Sequence, residues 1–71
     1  MIIKLKLVKE ARLRNDYRQN DVAEILGISQ SQYSKLENGE ISFNVIQLGI
    51  LIDKLNLNPL TLLISLKMVL N

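Results

Sequence analysis

The sequence predicts an all-α fold, a compact five-helix bundle forming a single domain over residues 1–71. Three observations predict it. Apolar residues recur at three- and four-residue spacing along most of the chain. Helix-starting signals punctuate it: Ser29 with Gln32 behind it, Asn44 with Gln47, and Asn58 followed by Pro59. Only the stretch IKLKL near the start alternates with period two, which leaves residues 1–4 open between strand and helix.

Size and composition narrow the rest. A chain of 71 residues buries only about 60% of its unfolded surface, so its core must be rich in aliphatic residues. It is: 48% of residues are hydrophobic and only three are aromatic. There is no cysteine, which excludes disulfides and thiolate metal sites and removes any need for an oxidising compartment. There is no histidine either, so the commonest general base and a common zinc ligand are missing. No metal, no cofactor and no catalytic residue is expected. The start, MIIKLKLVKE, is too charged for a signal peptide. No stretch reaches the roughly 18 uninterrupted apolar residues of a membrane span. A cytoplasmic protein with no membrane partner is expected.

The first helix is read over residues 5–15, with Leu7, Val8 and Ala11 at helical spacing. Asn15 and Asp16 end it, because both tolerate the left-handed backbone better than most residues. The second spans residues 17–26 with its lead-in. Arg18 cannot serve as a side-chain cap, but Asp21 in the first turn suits the positive end of the helix dipole. The fourth begins after Asn44. Val45, Leu48, Leu51, Ile52 and Leu55 share its core face, and Ile46 and Ile50 point elsewhere. Gly49 inside it costs about 1 kcal/mol against alanine, which either serves a close helix contact or serves no packing use. The fifth, residues 59–70, is apolar nearly all round, so it is expected to be covered on more than one side.

Residues 19–39 organise the chain: QNDVAEILGISQSQYSKLENG. Val22, Ala23 and Leu26 face inward, Gly27 turns the chain, and Ile28 plugs the turn. Ala23 is small enough for two helices to cross closely. Ser29 and Gln32 form a capping box for the next helix. Tyr33 and Leu36 face the core, with the Tyr33 hydroxyl at its edge. Gln30, Ser31, Gln32, Ser34 and Lys35 remain outward. These side chains can donate and accept the hydrogen bonds that base edges in a major groove require.

This stretch resembles the helix-turn-helix of the Cro and phage-repressor (XRE-type) family. Gln19, Ala23, Gly27, Ser29, Tyr33, Leu36 and Glu37-Asn38-Gly39 stand at that family's Gln, Ala, Gly, Ser or Thr, two aliphatic and Glu-Asn-Gly positions. The resemblance runs from about residue 8 to residue 63. It implies a lambda-repressor-like DNA-binding domain in which Gln30, Ser31, Gln32, Ser34 and Lys35 read bases, while Arg12, Gln19 and Asn38 hold phosphates; Arg18, a departure from the family, either reaches a phosphate or is simply exposed. At Arg12 the family carries an arginine that supports the fold or touches the DNA backbone. Departures are visible. The family favours glycine where Asp16 stands and Thr or Ser where Arg18 stands. Relatives also have basic residues and a proline where this chain has Glu40-Ile41-Ser42-Phe43.

Charge distribution agrees with a phosphate surface. The net charge is only +2. Six basic residues (Lys4, Lys6, Lys9, Arg12, Arg14 and Arg18) fall in the first 18 positions, against Glu10 and Asp16. Such a run is either a solvated helix face or a phosphate-binding end, and the neighbouring motif favours the second. Leu60, Ile64 and Met68 form a stripe on the fifth helix and Ile46 and Ile50 one on the fourth. Both are expected to build a homodimer. The expected function is a sequence-specific DNA-binding transcriptional regulator, a repressor acting on operator DNA as a homodimer. The alternative is a protein–protein interaction module of antitoxin or inhibitor type, with a toxin or antirepressor as partner. An enzyme is excluded: neither a nucleotide loop nor a convincing carboxylate dyad is present.

Overall fold

The computed structural model describes residues 4–58 and residue 60. Within them four helices follow in order: α1 (Leu5–Arg14), α2 (Gln19–Leu26), α3 (Gln30–Glu37) and α4 (Val45–Lys54). The all-α class and the first four expected helices are therefore present, each within two residues of the sequence reading. The fifth, and the question of strand or helix at residues 1–3, lie outside the described residues. At its expected start, Asn58 Oδ1 accepts the Leu60 amide at 2.9 Å.

The helix boundaries have local causes. Ser29 Oγ accepts the Gln32 amide at 3.1 Å, and Gln32 Oε1 accepts the Ser29 amide at 3.3 Å. Asn44 and Gln47 repeat the reciprocal pair at 2.7 and 3.0 Å. Two otherwise orphaned amides are thus satisfied at each start. At α2 only half of this exists. Asp21 Oδ2 accepts the Arg18 amide at 2.8 Å, but a guanidinium has no acceptor to return.

Three helices end in the same six-to-one hydrogen bond of a Schellman turn: Tyr17 to Arg12, Ile28 to Ala23 and Glu40 to Lys35, at 2.9–3.0 Å. Each turn needs one left-handed residue. Asp16 (φ 59°), Gly27 (φ 71°) and Gly39 (φ 82°) supply it. At Gly39 a Cβ would also crowd Leu5 Cδ1, at 3.0 Å.

The core gathers Val8, Ala11, Val22, Ala23, Tyr33, Leu36, Phe43, Leu48, Leu51, Leu55 and Leu57. Ala23 is 1% exposed and belongs to α2, which packs on α3. Asn15 Nδ2 donates to the carbonyls of Ala11 at 2.7 Å and Leu55 at 3.2 Å, tying the end of α1 to the end of α4.

One expectation for α4 fails. Val45 is not core but 74% exposed. It sits at the margin of the face set by Leu48, Leu51 and Leu55, and the first turn of the helix leaves it uncovered. At Gly49, nothing among the described residues lies within 4 Å of a Cβ built there.

Candidate nucleic-acid interface

α3 carries two chemically distinct faces. Tyr33, Leu36 and Glu37 are buried, while Gln30, Ser31, Gln32 and Lys35 are exposed and Ser34 is half-buried. The buried face is held by a polar cluster. Arg12 of α1 grips Glu37 in a two-pronged ion pair, Nε to Oε2 at 2.9 Å and Nη2 to Oε1 at 3.1 Å. Its remaining Nη1 donates to the Tyr17 carbonyl at 3.0 Å. Tyr33 donates its hydroxyl to Glu37 Oε2 at 2.6 Å. Gln19, the first residue of α2, donates Nε2 to Glu37 Oε1 at 3.3 Å. One carboxylate therefore joins α1, α2 and α3. No buried side-chain polar atom among the described residues lacks a partner, as a buried charge requires.

The cluster tunes its own protonation. Burial pushes the Glu37 carboxyl up, but hydrogen bonds from Arg12, Tyr33 and Gln19 outweigh it and hold the pKa below the ordinary glutamate value. The same Glu37 hydrogen bond raises Arg12 against the opposing effect of burial. Burial, then the Glu37 carboxylate, raises the Tyr33 phenol. The cluster is an ion pair with a neutral phenol at neutral pH.

A helix-turn-helix family model matches residues 8–62. The chain belongs to the XRE-type helix-turn-helix family. No curated protein and no solved structure matches it. Membership of this family points to a DNA-binding regulatory function with DNA as partner. No helix among the described residues is long and apolar enough to cross a membrane.

In this helix-turn-helix domain the phosphate candidates separate. Arg12 is 7% exposed and its guanidinium is occupied by Glu37 and Tyr17, which favours the fold-supporting one of its two expected roles. Gln19 is half-buried and shares its amide with Glu37. Arg18 is exposed and lies 3.6 Å from Asp21, an exposed pair of little strength that a stronger anion can displace. Asn38 is exposed just past α3, with Nδ2 3.4 Å from Ser34 Oγ.

Among the base-reading candidates, Gln32 has a second duty, because its Oε1 closes the capping box. The Tyr33 hydroxyl is corrected. It is not at the core edge but fully buried on Glu37, because the long phenol reaches the ion pair one turn along the helix. Sequence reasoning missed Glu37 as the hub. The signal was present: a glutamate four residues after a core tyrosine, with an arginine at the family's fold-supporting position. Of the dimer candidates, Ile46 is 75% and Leu60 82% exposed, Ile50 is half-buried, and Ile64 and Met68 lie outside the described residues.

Proposed function

We propose that this domain is a sequence-specific transcriptional regulator, a repressor that reads the major groove with α3 as a homodimer. One observation carries the reading. The buried face of α3 is fixed by a carboxylate bonded to three other side chains, while its first turn presents Gln30, Ser31 and Gln32 to solvent, with Lys35 one turn on. A rigidly mounted helix with amide and hydroxyl side chains at its N-terminal end is the geometry of base readout in helix-turn-helix proteins. Gln30, Ser31, Gln32, Ser34 and Lys35 are the proposed readers. Arg18, Asn38 and the shared amide of Gln19 are the proposed phosphate contacts. Two half-sites should lie about 34–36 Å apart, one helical turn of DNA. Selection of bound sites from a random DNA pool tests this. It should return a two-fold symmetric site with adenine opposite a glutamine, and an unenriched pool would sink the reading.

A second reading, a protein–protein interaction module, is favoured by the α3–α4 loop. There Glu40 and the exposed Ile41 stand where relatives carry basic residues. Under this reading gel shifts show no preference for any sequence, and a protein partner of toxin or antirepressor type takes the place of DNA.

A further inference from the structure

Two residues of α4 are poor choices for an isolated helix. Gly49 sits in its middle, where only proline forms helix less readily. Its φ is not positive, and nothing among the described residues lies within 4 Å of a Cβ placed there. Neither backbone conformation nor packing among these residues calls for glycine. Asp53 is exposed in the last turn, at the negative end of the helix dipole, where an acid is unfavourable. The first turn, at the positive end, carries no acidic residue.

The surface on the N-terminal side of Gly49 is apolar and uncharged. Val45 lies one turn before it and Ile46 beside that, both about three-quarters exposed (74% and 75%). No charged residue occurs from position 41 to position 52. Two exposed β-branched residues one turn before a glycine with open space above it leave a step on which another helix can settle at short range.

We infer that α4 packs antiparallel against α4 of a second copy, the two helices crossing at Gly49. The inference rests on the homodimer reading above and places its contact on the fourth helix. The antiparallel crossing answers both anomalies at once. A two-fold axis at Gly49 brings the two glycines together, so the backbones approach closely. It also sets position 53 of one helix opposite position 45 of the other. Each Asp53 carboxylate then lies at the N-terminus of the second copy's helix, where the dipole favours an anion and no acid of that helix competes for the place. Between positions 41 and 52 the face carries no charge, so no like charges meet at the crossing itself.

Sedimentation equilibrium of the full chain without DNA tests this. The wild type should dimerise. Gly49→Leu should weaken the dimer at least about tenfold and at the same time raise the melting temperature of the dilute monomer, since leucine is the better helix former and meets open space. Asp53→Lys should weaken the dimer too, whereas Glu24→Lys, an exposed change on α2, should not. A wild type still monomeric at about 100 μM overturns the inference. So does a Gly49→Leu dimer as tight as the wild type. A Gly49→Leu variant that melts lower at every concentration also overturns it, because the face is then covered within one chain. Gel shifts keep the two readings apart. A monomer that binds DNA specifically overturns the crossing alone. A dimer that Gly49→Leu disrupts but that binds no DNA upholds the crossing and overturns only the DNA reading.

Discussion

The Tyr33 hydroxyl donates a 2.6 Å hydrogen bond to the Glu37 carboxylate, one turn further along α3. Both residues are buried, and both belong to the helix whose other face is proposed to meet DNA. The mounting of that helix is thus polar at its centre, and its stability depends on a few identifiable bonds.

Tyr33→Phe removes one of them and leaves the ring in place. A hydrogen bond to a charged group contributes about 1.5–3 kcal/mol. Chemical denaturation should show a loss in that range with an unchanged denaturant slope. A loss below about 0.5 kcal/mol would mean that the hydroxyl bond adds nothing to the ion pair.

Arg12 separates a structural from a DNA-contacting role. Arg12→Ala strands a buried carboxylate, which costs about 3–5 kcal/mol. If Arg12 touches no phosphate, the folded fraction of this variant should bind DNA with the wild-type salt slope. Arg18→Ala should instead leave stability nearly unchanged and make the slope shallower by about 0.9. The opposite pattern would return Arg12 to the phosphate surface.

Acid should act through Glu37. Its folded pKa lies below the ordinary value of 4.5, so the unfolded chain takes up this proton first as pH falls. Its contribution is complete above about pH 4.5 and is lost as pH drops through the folded value. Urea midpoints of wild type and Glu37→Gln should therefore differ at pH 7 and converge below about pH 4.5. The Tyr33 phenol acts at the other extreme. Its raised pKa means stability is lost as pH rises above the ordinary tyrosine value of 10.0, and Tyr33→Phe should remove that part of the alkaline loss. Parallel curves for wild type and Glu37→Gln down to pH 3 would contradict the assignment.

Local signals made four helices legible in the sequence. The Ser29–Gln32 and Asn44–Gln47 boxes and the turn at Gly27 each depend on residues within a few positions, so reading them needs no tertiary information. The left-handed Asp16 was also readable, from its place at the end of a periodic run. What escaped needs two distant segments at once. Arg12 and Glu37 are 25 positions apart, and nothing local tells a surface arginine from one buried on a carboxylate. The Tyr33 hydroxyl misled for the same reason, because its partner is itself held by Arg12. Val45 was assigned to the core by periodicity, but periodicity does not say how far along a helix the covering element extends. Among the proposed contacts, exposure admits Arg18, Gln30, Ser31, Gln32, Lys35 and Asn38 alike and does not rank them.

Readout by the first turn of α3 is the prediction with most at stake. Gln30 and Gln32 carry the same amide, yet their surroundings differ. Gln30 is exposed, while Gln32 spends its carbonyl oxygen on the Ser29 amide. A base contact by Gln32 must therefore use Nε2 or break the capping box, whereas Gln30 can pair bidentately with adenine through both ends of its amide. Gln30→Ala should cost about 1–3 kcal/mol on the best selected site and relax preference at one base position, with stability unchanged. Gln32→Ala should destabilise the fold by about 0.3–1.5 kcal/mol through the lost cap, whatever it does to DNA. Lys35→Ala distinguishes two contacts. A loss confined to one base position means base readout, while an equal loss on all sequences with a shallower salt slope means phosphate. Site selection repeated with each variant reads all three. If Gln30→Ala and Gln32→Ala both fold and both return the wild-type site, α3 is not the reader, and the interaction-module reading takes its place.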